Sequence, residues 1–216
     1  MSLKKILRIL IPEEIRLFLW RITPRFSGVK TYVMRNPSPV REIQEIDNIF
    51  IIREIDAGDE VELRRFHLER GYDAYNRKVK ARLEGEEWTA LAVVDTSNNS
   101  IAYLAWIVSK PVPYAEEFGA HLGNGSFLLK DGYCAKTYRH RGLHTRMEQE
   151  RINYCVRNNA KEIYIQIMTS NLRGIDSVER NGYSFFNTRT MIEWSAFNIY
   201  RELRSFLKHP FRKVVS

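Results

Sequence analysis

Apolar positions along this chain change period several times, and each change predicts an element. Alternating or continuous apolar runs bounded by turn formers predict strands at Asn48–Ile55, Trp88–Asp95, Ile101–Ser109 and Phe127–Cys134. The acidic start Asp56–Glu60 opens a polar helical region reaching to about Leu83, and Thr96–Ser100, with two adjacent asparagines, predicts a hairpin turn. A turn through Gly142 leads into a helix over Leu143–Asn158, Asn171 taken alone reads as a helix N-cap, and Asn181-Gly182 provides a left-handed helix stop. Ser184–Phe186 and Met191–Phe197 read as a closing hairpin.

The two ends differ from this body. Within Leu3–Phe26, Pro12 with Glu13 and Glu14 marks a helix start, and Ile15, Phe18, Leu19 and Ile22 share one stripe. Arg35–Arg41, with two prolines, reads as a linker, and Ile199–Ser216 as a basic amphipathic helix stopped near Pro210. The expected organisation is therefore an extension and linker over 1–45, one domain over 46–198 and a terminal helix over 199–216.

Charge sharpens that division. The chain of 216 residues carries a net +8, but residues 1–30 hold seven basic and two acidic side chains, and residues 201–216 five and one. The middle is close to neutral, which argues against a nucleic-acid groove through the fold. The basic ends suit packing on the domain, a second subunit in a homodimer, or an anionic membrane surface. Two cysteines, Cys134 and Cys155, suggest neither a disulfide framework nor a metal site. With no continuous apolar run of about 18 residues, the expected location is the cytoplasm, with the inner membrane face as a place of work.

The candidate chemistry lies in Ser126–Arg146. A strand that turns through glycine into a helix leaves backbone N–H groups unpaired at the positive end of the helix dipole, where phosphate binds. The turn Arg139-His140-Arg141-Gly142-Leu143-His144 spells R-x-x-G-x-H. It resembles the Q/R-x-x-G-x-G/A loop of the GNAT N-acetyltransferase superfamily, which holds the diphosphate of acetyl-CoA. The strand Glu162–Met168 and the Asn-led helix ending in Gly182-Tyr183 follow in the same order and spacing, a likeness of some sixty residues.

The resemblance implies an α+β (α/β/α) GNAT fold: a mixed, mostly antiparallel sheet with splayed middle strands, here flanked by amphipathic helices at both ends. It implies acetyl-CoA as acyl donor and direct transfer to a primary amine of a small or sugar-linked acceptor. Main-chain groups of Gly132 and Cys134 would meet the pantetheine arm and acyl carbonyl. Amides over Arg141, Gly142, Leu143, His144 and Thr145 would take the diphosphate, with Arg139 and His140 nearby. Asn171 would bond the donor's arm or cap its helix, and Arg180 would approach the phosphates.

Two positions depart from the family. His144 puts bulk where a small residue is usual, and Val178 stands where many members carry a tyrosine acid. Asp131, if a bulge turns it, is the candidate base and Tyr133 the candidate acid. His67, Tyr72, Tyr75 and Asn76, and the loop bearing Tyr114, Glu116, Glu117 and His121, are candidates for the acceptor wall. A GNAT-fold module that holds CoA without turnover and a protein-modifying acetyltransferase are the alternatives.

Overall fold

The computed structural model describes residues 23–69, 77–111, 120, 122–194 and 199–202. The expected helix from Pro12, Tyr72, Tyr75, Asn76, Tyr114, Glu116, Glu117 and His121, and residues 203–216, lie outside them.

Eight strands among the described residues form one sheet: β1 (Arg25–Arg35), β2 (Phe50–Ile55), β3 (Trp88–Asp95), β4 (Ser100–Val108), β5 (Ser126–Cys134), β6 (Glu162–Met168), β7 (Ser184–Trp194) and β8 (Ile199–Glu202). Their order is β2-β3-β4-β5-β6-β1-β7-β8. All neighbours pair antiparallel except β5 and β6. Four helices accompany them: α1 (Glu60–Glu69), α2 (Arg77–Glu84), α3 (Leu143–Arg157) and α4 (Leu172–Arg180).

Strand alternation distributes the core over both faces. Leu91, Val93, Tyr103, Ala105 and Leu129 pack with Leu143, Met147 and Ile152 of α3 and Ile175 and Val178 of α4. Ala90, Ala92, Leu104 and Trp106 pack with Leu63 and Phe66 of α1 and Val79 of α2 on the other. This is the expected α+β architecture, mixed and mostly antiparallel.

Three expectations are corrected. Arg25–Arg35, placed in the extension and linker, is an interior strand between β6 and β7, so the sheet begins well before residue 46. Val29 and the successive Thr31, Tyr32 and Val33 are buried, as both faces of an interior strand demand. The expected hairpin of Ser184–Phe186 with Met191–Phe197 is instead one strand, because Asn187 and Thr188 pair with Thr31 and Lys30 rather than turning. Ile199–Glu202, expected as the start of a helix, pairs with Met191–Trp194 as β8. The polar region expected to be helical to about Leu83 holds α1 and α2.

Candidate active site

The parallel pair at the middle of the sheet creates the site. β5 and β6 are in register from Ser126↔Glu162 to Leu129↔Ile165, and there the pairing ends. Lys130–Cys134 and Gln166–Met168 continue as strands without one another, so a slot opens between them.

At the same point β5 bulges against β4. Leu104 pairs with Tyr133 and Trp106 with Lys130, leaving Asp131 and Gly132 opposite Ala105. Asp131 takes the left-handed conformation, φ +48°, unusual for a residue with a side chain and tolerated best by Asn and Asp. Its carboxylate meets Arg82 Nη1 at 2.7 Å. Arg82 in turn lies over Trp88, 4.3 Å from the ring centre, and 5.4 Å from that of Trp106. Tyr133 meets Phe66 of α1 edge to face. Asp131 and Tyr133 thus face the α1–α2 side.

Gly132 faces the α3 side. A Cβ there would stand 2.7 Å from Tyr103 Oη and 3.7 Å from Arg151 Nη2, so the absent side chain is a condition of this packing. Tyr103, 1% exposed, exchanges a 2.8 Å hydrogen bond with His144 Nδ1. Burial, then Glu148, pushes the Tyr103 hydroxyl well above the ordinary tyrosine range. Arg151, 2% exposed, donates to the Glu148 carboxylate and, at 3.4 Å, to the Lys130 carbonyl where the ladder parts. Its Nε and the Tyr183 hydroxyl are buried without a hydrogen-bond partner among the described residues.

The bend after β5 is held from outside. Tyr138 donates to Asp95 at 3.1 Å and accepts from Asn98 at 3.2 Å, tying it to the β3–β4 hairpin. Arg141 lies 5.8 Å from the ring centre of Phe50 and 5.7 Å from that of Tyr138, and Arg139 lies 5.7 Å from Tyr133. Neither arginine forms an ion pair among the described residues. Gly142, φ +74°, is the N-cap of α3, and no side chain caps the helix. The first-turn amides of Leu143, His144 and Thr145 therefore lack intrahelical acceptors. The Leu143 side chain is buried at 1% exposure, leaving its amide as the group it offers.

A groove of about 190 Å³ runs along this bend, lined by Cys134, Tyr138, Arg139, His140 and Gly142 through Thr145. Burial pushes the Cys134 thiol up, which keeps it protonated and unlike a nucleophile. These groups fit an anionic donor: unpaired amides, a helix N-terminus and two guanidinium groups on aromatic seats. Among the described residues no cluster of three or more His, Cys, Asp and Glu stands ready for a metal ion.

The outlying candidates sit apart from the groove. Asn171 follows the free end of β6, and its side chain accepts from the Gly174 amide at 3.1 Å, capping α4. Arg180 borders a wider open depression of about 680 Å³ with Asp176 and Glu179. Two carboxylates there repel phosphate, and Arg180 Nε is engaged by the Asp176 carbonyl at 3.1 Å, so the smaller groove is the better anion site. His67 is buried beside Phe66 in α1.

Arg82, Tyr103, Glu148, Arg151 and Tyr138 are additions that sequence reasoning did not single out. Glu148 and Arg151 alone left a signal there. They are charged residues on the helical stripe shared by Leu143, Met147, Ile152 and Cys155.

No family model matches the chain, and no curated protein matches it. Solved structures do. The GCN5-related N-acetyltransferase of Sphaerobacter thermophilus aligns with TM-score 0.56 and 14% identity, over 81% of this chain and 53% of its own. A tandem GNAT protein from the clavulanic acid biosynthesis pathway aligns with TM-score 0.58 and 10% identity, over 82% and 57%. A glucosamine N-acetyltransferase region of a fungal multi-domain β-N-acetylglucosaminidase aligns with TM-score 0.54 and 12% identity, over 83% and 22%. The chain spans little more than half the length of the first two. At these identities the likeness speaks to architecture, and it agrees with the strand order and the parted middle strands: the chain has the fold of the GNAT acetyltransferases.

Proposed function

We propose that the chain is an N-acyltransferase that moves an acetyl group from CoA to a primary amine of a small or sugar-linked acceptor by direct attack. The observation that carries this reading is the parting of β5 from β6 beyond Leu129/Ile165, beside an uncapped helix N-terminus.

Amides over Gly142–Thr145 and the guanidinium groups of Arg139 and Arg141 receive the donor's diphosphate. The freed main chain at Gly132 and Cys134 takes the thioester arm and polarises its carbonyl; preorganised donors of this kind supply much of the barrier reduction in acyl transfer. The acceptor arrives on the α1–α2 face. There Asp131 attracts the amine and takes its proton, directly or through a water, while Arg82 aims the carboxylate. The thiol of Cys134, pushed up by burial and so kept protonated, favours direct attack over a covalent intermediate.

The test is incubation of the full chain with acetyl-CoA and a panel of amino sugars, polyamines and amino acids, measuring free thiol and acetylated product together. The expected result is equimolar thiol and product for one amine class. Tight CoA binding with no turnover on any amine would assign the fold a binding role instead.

A further inference from the structure

Resting on the transferase reading, a second question concerns the leaving group. When the amine nitrogen bonds to the acyl carbon and the C–S bond breaks, the electron pair ends on sulphur. That sulphur needs a proton. α4 offers no hydroxyl where it faces the core, since Val178 is apolar and buried. Tyr133 points to the opposite face of β5, against Phe66 and beneath Arg139.

On the α3 side of the slot the arrangement is different. Tyr103 Oη lies directly under Gly132, and only the lack of a Cβ permits that approach. The same oxygen is bonded to His144 Nδ1, while the His144 side chain is exposed and lines the groove beside Cys134. A buried hydroxyl is thereby joined by one hydrogen bond to an imidazole in contact with solvent. His144 is the residue that departs from a small side chain in the loop, and this partnership with Tyr103 gives the departure a physical role.

We propose that Tyr103 is the catalytic acid for the departing sulphur and that His144 recharges it. Tyr103 donates its hydrogen bond to the departing thiolate, and as that proton moves to sulphur, Nδ1 of protonated His144 supplies one to Tyr103 Oη in the same step, so that no free tyrosinate forms. His144 becomes neutral and takes its next proton from water, to which Asp131 releases the one lost by the amine, so protons and charge balance over the cycle. The groups facing this pair are Glu148 and Arg151 of α3 and Cys134 of β5. Glu148 and Arg151 form an ion pair with each other beside the buried Tyr103 hydroxyl, while the imidazole end of the Tyr103–His144 bond meets solvent.

The experiment titrates the thiol of CoA bound to the full chain, following thiolate absorbance against pH, and needs no acceptor. A hydrogen bond donated to the charged form favours it. An ordinary thiol titrates near about 8.5. Wild-type protein is expected to hold at least about tenfold more of its bound CoA as thiolate at a given pH than CoA in water, one unit of displacement. Tyr103→Phe is expected to erase the difference and His144→Ala to erase most of it. His144→Ala alters an exposed side chain and keeps the test decisive should Tyr103→Phe unfold. Bound CoA that titrates as in water, or an undiminished displacement in both variants, overturns the proposal and leaves CoA binding standing. Failure of the wild-type chain to bind CoA overturns the transferase reading and this proposal together.

Discussion

Four arginines around β5 fall into two pairs with opposite settings. Arg139 and Arg141, on the bend, rest against the rings of Tyr133, Phe50 and Tyr138 and have no carboxylate in ion-pair range among the described residues. Arg82 and Arg151, on either face of the slot, are bound to Asp131 and Glu148. An arginine held on an aromatic face is positioned while its fork of N–H donors stays available to an incoming anion. An arginine bound to a carboxylate brings no net charge but fixes geometry. The difference separates a receiving end from a scaffolding centre, and each pair has its own way to fail.

The largest effect is expected at the scaffold. Removing one partner of a buried ion pair leaves an uncompensated charge and costs about 3–5 kcal/mol. Arg151→Ala is expected to lose that much in denaturant unfolding, whereas Glu148→Leu with Arg151→Met loses far less. A small loss in Arg151→Ala would show that the pair does not brace the parting of β5 from β6.

Next comes the receiving end. Hydrogen bonds to charged groups contribute roughly 1.5–3 kcal/mol each. The double change Arg139→Ala and Arg141→Ala is therefore expected to weaken CoA binding by about a hundredfold or more with no change in unfolding midpoint, read by calorimetry on the same samples. A drop in stability with unaltered affinity would invert the assignment of the two pairs.

Smaller effects sharpen the comparison. The Asp95 carboxyl is held below the usual range first by the Ser97 hydroxyl and then by Tyr138, with Arg141 adding to it. A depressed folded value means its contribution is fully present above the unfolded value of about 3.9 and lost as pH falls through the lower folded one. The Tyr138 brace should loosen only in that acid range, seen as a fall in CoA affinity that Asp95→Asn reproduces at neutral pH. Cys134, pushed up by burial, should alkylate more slowly than a free thiol at pH 8, and CoA should slow it further because the thiol lines the groove.

What was readable in the sequence follows the same division. The bend from Phe127 to Arg157 is built of neighbours: a strand, a glycine with positive φ and an uncapped helix, each announced by local pattern. The Asn171 cap was equally local. The scaffold is assembled from a distance. Arg82 and Asp131 are 49 positions apart, and Tyr103 and His144 are 41 apart. No periodicity announces such meetings. Arg25–Arg35 was hidden for a related reason: its partners lie far along the chain in β6 and β7, and burial on both faces removes the alternation that marks a strand. Glu148 and Arg151 look like an ordinary surface pair at helical spacing, and only their place on the apolar stripe of α3 sets them apart.

The central claim is that the uncapped start of α3 and the freed edge of β5 together receive one CoA molecule. Amide resonances followed by NMR as CoA is added to the full chain test it most directly. The account predicts that Gly142–Thr145 and Gly132–Cys134 move most and saturate together at one equivalent. Saturating CoA that leaves both sets in place, or moves the Asp176–Arg180 surface instead, would contradict it.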